Sequence, residues 1–134
     1  GITMAEQPDL FMIPTYYQAP GGQFWVATDH GAVAGCIGLL PLDEHTAVLK
    51  KFFTYPQYRG RPHRLGWQLY QALSRYTQTH GFTTLVLDTP EGEHRSHQFY
   101  ERQGFRRVAY AALGVDYAFP DRDSRFYRLH LPIK

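Results

Sequence analysis

The sequence predicts an α/β (α+β) domain in which helices pack on a mixed β-sheet. Three observations carry this. Runs rich in β-favouring residues, Gln23 to Thr28, Ala32 to Leu40 and Thr46 to Thr54, are separated by turn residues. An amphipathic helical period follows, with Leu65, Leu69, Leu73 and Tyr76 on one face. The strand–helix–strand unit from Thr46 to Thr89 is long enough for a parallel crossover.

The elements follow in order. Residues ahead of Pro20-Gly21-Gly22 are poorly patterned, with Leu10 to Ile13 a short strand or helical turn. Gly1-Ile2-Thr3 before Met4 reads as a cloning remnant, and residues 1–22 as a short N-terminal segment ahead of a single domain, 23–134. Gln23 to Thr28 and Ala32 to Leu40 form a hairpin around Asp29-His30-Gly31. Pro41 to His45 is a loop, and Thr46 to Thr54 a third strand. Leu65 to His80 is a helix stopped by Gly81. Thr83 to Thr89 is a strand whose apolar run predicts burial on both faces. After the loop Pro90 to Glu93, a short helix runs from His94 to Gln103 and ends at Gly104. Phe105 to Ala112 and Arg125 to Pro132 are closing strands. No repeat or low-complexity segment is present.

Composition narrows the function classes. With 134 residues, 43% hydrophobic and 16% aromatic, the chain can bury a core and is not a disordered polymer. No apolar run approaches a membrane span, and no signal peptide is visible. The single Cys36 excludes an internal disulfide and fits a reducing, cytoplasmic setting. It sits in an apolar run and reads as a buried small hydrophobe. Net charge is only +2, yet no Asp or Glu occurs between His45 and Leu87, where Lys50, Lys51, Arg59, Arg61, Arg64 and Arg75 fall. That layout suits a polyanionic ligand. Its centre is Tyr58-Arg59-Gly60-Arg61-Pro62-His63-Arg64-Leu65-Gly66, a basic loop opening a helix. First-turn N–H groups lack internal partners, and the helix dipole favours negative charge, so this is a place to hold phosphate.

Arg61-Pro62-His63-Arg64-Leu65-Gly66 resembles the acyl-CoA signature of the GNAT acetyltransferase superfamily, Gln/Arg-x-x-Gly-x-Gly/Ala. Phe99-Tyr100-Glu101-Arg102-Gln103-Gly104-Phe105 resembles its second motif, Phe/Leu-Tyr-x-x-x-Gly-Phe, and Leu87-Asp88-Thr89 resembles a strand ending of bacterial members. The two motifs stand in the right order on the right elements. The resemblance spans roughly Phe24 to Leu131 and implies a small bacterial-type domain. Its fold would be a GNAT-like mixed, mostly antiparallel central sheet, with splayed parallel strands and helices on its faces.

The resemblance implies an acetyl-CoA-dependent N-acetyltransferase, with acetyl-CoA as cosubstrate and no metal. The acceptor amine, on a small molecule or a protein, would attack directly in a ternary complex. Pyrophosphate would lie against Pro62, His63, Arg64, Leu65, Gly66 and Trp67, with Arg61 adjoining. The pantetheine arm would run along Phe52, Phe53 and Thr54 like an added strand. The edge would open where the strands ending near Thr54 and Thr89 splay apart. Tyr100 stands where the family places a tyrosine that protonates the leaving thiolate or orients the cofactor sulfur.

Two residues depart from the signature. Arg64 replaces its first glycine, and Pro62 removes a backbone donor. Arg61 and Arg64 would then supply charge-assisted contacts to phosphate. The strand before the loop has no acidic residue where many members keep a glutamate. Glu93 or His94, near Asp88 and Glu91, becomes the expected base, direct or through water. His94 and His97 lie three apart, but no third metal ligand is placed. A non-catalytic acyl-CoA-binding or interaction domain is the alternative reading. Nucleic acid is disfavoured by the modest charge. Relatives place a strand and two helices before the hairpin, whereas about twenty residues precede it here. The acceptor groove is therefore open, or completed by a homodimer partner, or belongs to a longer chain, or is walled by the aromatic tail Tyr110 to Phe126.

Overall fold

The computed structural model describes residues 2–6, 22–114, 117, 119 and 123–132. One seven-stranded sheet runs through it in the order β1-β2-β3-β4-β5-β7-β6. The strands are β1 (Ile2–Glu6), β2 (Gln23–Asp29), β3 (Ala32–Pro41), β4 (Thr46–Thr54), β5 (Thr84–Pro90), β6 (Arg106–Val108) and β7 (Ser124–His130). Two helices, α1 (Leu65–Thr79) and α2 (His94–Arg102), connect β4 to β5 and β5 to β6. Among the described residues only β4 and β5 pair in parallel, and every other neighbouring pair is antiparallel. This is the mixed, mostly antiparallel architecture that the sequence predicts.

Local chemistry explains the turns. His30 and Gly31 both take positive φ, 49° and 86°, as a two-residue hairpin of this twist requires. Ala32 then pairs with Asp29. α1 buries Leu65, Leu69, Tyr70, Leu73 and Thr77, one stripe at helical spacing. That stripe packs with Leu49, Leu85, Leu87, Tyr100 and Phe105 into the main core. A second core on the opposite face joins Phe24, Val26, Leu40, Val48, Val86 and Leu113. Leu85, Val86 and Leu87 are fully buried, so β5 is covered on both faces as its apolar run implies.

Two expectations change. Ile2–Glu6 is a strand paired with β2, where the sequence shows no clear pattern; Ile2 and Thr3 lie opposite Asp29 and Thr28. An edge strand of five residues carries too few alternating positions to register as one. The strand expected from Phe105 to Ala112 shrinks to Arg106–Val108, followed by a 3-10 turn at Tyr110–Ala112. β6 pairs only with β7, and the chain turns inward there to bury Leu113 in the second core. Leu10 to Ile13 lies outside the described residues. Among the described residues, no helix is long and apolar enough to cross a membrane.

Candidate functional site

The site starts from a ladder that stops. β4 and β5 pair only at Thr46–Thr84, Ala47–Leu85 and Val48–Val86. Beyond them β4 runs on to Thr54 and β5 to Pro90 with no further pair, so the two strands part. The expected splay is present, and the β5-facing edge of β4 past Val48 has no ladder partner among the described residues.

A bulge shapes that edge. Cys36 lies opposite Phe53 and Gly38 opposite Lys50, so two residues of β4, Lys51 and Phe52, stand against one of β3, Ile37. Lys51 absorbs the extra residue at φ 55°, and the Cys36 thiol donates to its carbonyl at 3.2 Å. The inserted residue shifts the alternation and turns Phe52 onto the α1 face. There its ring meets Phe99 edge-on, with centroids 5.4 Å apart, and lies 6.2 Å from the Tyr100 ring. Phe53 stacks edge-on against Tyr55 at the surface. Thr54 is buried beside Gly35 and Leu65.

The basic loop is built rather than slack. Pro56–Tyr58 forms a 3-10 turn, and the Tyr58 hydroxyl donates to Asp29 at 2.7 Å, tying the loop to the β2–β3 hairpin. Arg59 donates twice to the Thr54 carbonyl, at 2.8 and 3.1 Å. Arg59 is therefore a structural brace, although it is exposed, as Arg61 and Arg64 are. The Arg61–Pro62 peptide is cis, and the Tyr58 and His63 rings meet edge-on. Gln68 donates its side-chain amide to the His63 carbonyl.

Arg64 is the N-cap of α1, with φ 46° and ψ 47° and no side-chain cap. This left-handed conformation is the one glycine adopts most easily. The substitution of arginine for the signature glycine thus leaves the backbone in a glycine-like geometry. The N–H groups of Leu65, Gly66 and Trp67 form the first turn and have no helical carbonyl to bond. That turn itself contains no acidic residue. Leu65 is fully buried, so it offers backbone only. A methyl built on Gly66 would rest 3.6 Å from the Phe52 ring, which brings the helix start and the bulged strand together. Exposed Trp67 carries the Arg64 guanidinium over its ring at 5.2 Å.

Tyr100 closes the inner end. It is 6% exposed, among Phe52, Phe99, Phe105 and Tyr127. Burial pushes its phenol well above the ordinary value, and the charges of Asp88 and Glu93 add to the shift. Glu93 is exposed at the N-cap of α2 and receives the Ser96 hydroxyl at 3.4 Å. His94 is exposed beside it. His97 is buried instead: its Nε2 donates to the Pro90 carbonyl at 2.9 Å and braces the β5–α2 loop. Glu91 is held below the usual carboxylate range by the Arg125 guanidinium at 2.6 Å, with Arg107 adding. No group of three metal-ligating side chains occurs among the described residues.

The other face of the splay carries groups that sequence reasoning underused. Asp88 is half-buried on β5 and receives the Ser124 hydroxyl at 3.0 Å. Lys50 lies over the Tyr117 ring at 4.7 Å. Tyr110, Tyr117, Phe119 and Phe126 stack into an aromatic wall. No run of neighbouring residues marks this face, because it comes together only through the pairing of β4, β5 and β7.

The comparisons agree with this geometry. The model of the acetyltransferase (GNAT) family matches residues 3–105. An acetyltransferase of Streptococcus agalactiae is 54% identical, with 92% of this chain and 75% of that one aligned at a TM-score of 0.85. A GNAT-family acetyltransferase of Staphylococcus aureus is 32% identical, over 94% of this chain and 78% of that one, at 0.81. N-acetylaspartate synthetase of Danio rerio is 29% identical over 114 residues, which is 84% of this chain and 39% of that protein. The chain spans about two fifths to half the length of the curated relatives it matches. A family model that covers most of the chain, and a solved relative 54% identical with the same fold, show that the chain belongs to the GNAT acetyltransferase family.

Proposed function

We propose that this chain transfers an acetyl group from acetyl-CoA to an amine, by direct attack in a ternary complex. The observation that carries the reading is the meeting, at Phe52 and Gly66, of an open strand edge with a helix start rich in unpaired donors. The first-turn N–H groups of Leu65, Gly66 and Trp67 would face the pyrophosphate, with Arg61 and Arg64 adding charge. Phe52, Phe53 and Thr54 would pair with the pantetheine amides, since that edge has no strand of its own.

The acetyl carbonyl would then lie in the splay near Tyr100. The amine forms the new C–N bond, the C–S bond breaks, and the thiolate carries off the electron pair. An alkylammonium has a pKa of about 10.4 and must first lose a proton. Exposed Glu93 and His94 suit a relay through water. Tyr100 holds its proton far more tightly than a thiol, whose pKa is about 8.5. It therefore stabilises and orients the sulfur by hydrogen bonding rather than by giving its proton away.

The test is binding. A ligand at 100 times its Kd stabilises the native state by about 2.7 kcal/mol. Acetyl-CoA should accordingly raise the melting temperature by on the order of 10 °C. No shift at millimolar acetyl-CoA would remove the reading.

A further inference from the structure

We propose that Tyr127 is a positioning residue for the transfer: its phenol clasps Glu101, the residue after Tyr100, and so fixes how α2 presents Tyr100 to the acyl sulfur. The proposal rests on the acetyltransferase reading and adds to it a residue outside both motifs. α2 has nine residues, too few to hold a helix alone in water. Tyr100 lies near its C-terminal end, where its ring faces those of Phe52, Phe99, Phe105 and Tyr127 at centroid distances of 5.6 to 6.2 Å. Apolar burial of this kind is non-directional. It keeps water from the ring, but it leaves the roll of the helix about its axis to a directional tie.

Tyr127 supplies that tie. It is fully buried on β7, opposite Leu87 of β5 on one side and Arg107 of β6 on the other. A buried strand paired on both sides is among the last parts of a fold to open, so it is a firm anchor. The Tyr127 hydroxyl donates to Glu101 Oε2 at 2.6 Å, and its ring centroid lies 6.0 Å from that of Tyr100. One side chain thus meets two consecutive residues of the helix. These point about 100° apart around the axis, so holding both sets the roll. Burial raises the Tyr127 phenol and the bond to Glu101 raises it further, so it keeps its proton and stays the donor. Arg125, two residues earlier on β7, completes the clasp. Its guanidinium lies 3.9 Å from the same Glu101 oxygen, donates to the Tyr127 hydroxyl at 3.4 Å and to Glu91 at 2.6 Å. Glu91 precedes α2 and Glu101 lies in its last turn, so β7 grips the helix at both ends. The Glu101 side chain is 53% exposed, which screens the longer ion pair and leaves the phenol bond as the firmer hold.

The experiment uses the full chain and two readouts. The first needs no acceptor. In NMR spectra of tyrosine-labelled protein, the Tyr100 ring signals are identified by their loss in Tyr100→Phe. They should move in Tyr127→Phe and in Glu101→Ala, and stay close to their wild-type positions in Glu101→Gln, whose amide oxygen still accepts the phenol O–H. The second readout is thiol release from acetyl-CoA with a panel of amino acids, polyamines and arylalkylamines. Tyr127→Phe and Glu101→Ala should lower kcat about tenfold, the scale of one lost hydrogen bond, with acetyl-CoA KM within about twofold. Glu101→Gln should recover most of that loss. In a Tyr100→Phe background, Tyr127→Phe should cost little more, because the two residues act through one ring. Unmoved Tyr100 signals in Tyr127→Phe, Glu101→Gln as damaging as Glu101→Ala, or losses that add in the double variant would overturn the proposal. The two Glu101 variants, on an exposed carboxylate, decide it if Tyr127→Phe does not fold. Thiol release with none of the amines would instead count against the acetyltransferase reading, and the ring signals would then decide by themselves whether Tyr127 sets Tyr100 through Glu101.

Discussion

Arg64 offers the sharpest test of how the loop holds phosphate. It sits at φ 46° and ψ 47°, where a residue with a Cβ is disfavoured by about 1–2 kcal/mol relative to glycine. Arg64→Gly removes that strain. It also forfeits the stacking on Trp67, about 0.5–1 kcal/mol at an exposed site, and adds glycine's unfolded-state entropy, about 0.5–1 kcal/mol. These contributions nearly cancel, so the melting temperature should move by only a few degrees. Cofactor affinity should behave differently. A unit charge about 4 Å from a phosphate oxygen contributes about 1 kcal/mol in water. With two phosphate charges nearby, Arg64→Gly should weaken acetyl-CoA binding about 5- to 30-fold at low salt, and less at high salt. Arg64→Lys should keep most of the affinity. Calorimetric titration of the three proteins at two salt concentrations measures this. Arg64→Gly binding as tightly as wild type at low salt would show that the backbone donors suffice alone, and would refute the compensating role of arginine.

Three more expectations follow from the geometry. Tyr100→Phe should lower kcat about 10- to 100-fold, the scale of one hydrogen bond to a charged group, with little change in acetyl-CoA KM; an unchanged kcat would exclude Tyr100 from the chemistry. Gly35→Ala would place a methyl 2.6 Å from the Phe53 carbonyl oxygen and 3.2 Å from Leu65. Denaturation should register about 1–3 kcal/mol of lost stability, and acetyl-CoA binding should weaken because the strand edge shifts. The Tyr58 hydroxyl holds the Asp29 carboxyl below its ordinary 3.8. The sign is that of a depressed acid: the tie contributes fully above the ordinary value and is lost as pH falls through the lowered one. NMR titration should find Asp29 depressed in wild type and restored in Tyr58→Phe, and equal values would refute the tie.

Much of this was legible in the sequence because it depends on short-range periodicity. β4 and the starts of α1 and α2 fall at the expected residues. Gly81 and Gly104 follow the helices at positive φ. The phosphate loop was legible too, since unpaired first-turn donors and clustered arginines are local features. β1 was not, because its stability comes from pairing with β2 across the long connection between them. The division of labour among arginines was equally hidden. Nothing in Arg59-Gly60-Arg61 tells which of the two exposed arginines is the brace on the Thr54 carbonyl.

By itself the sequence determined the mixed α/β class, the helix start that suits a phosphate and the tyrosine motif near its end. Each is written in a run of neighbouring residues. Tertiary structure alone decided that β7 lies between β5 and β6, that the β4–β5 ladder stops after Val48 and Val86, and that a bulge at Lys51 turns Phe52 toward Tyr100. It alone gave Arg64 the backbone of a glycine. These depend on register and on contacts between residues far apart in the chain, where a shift of one residue turns every side chain to the other face.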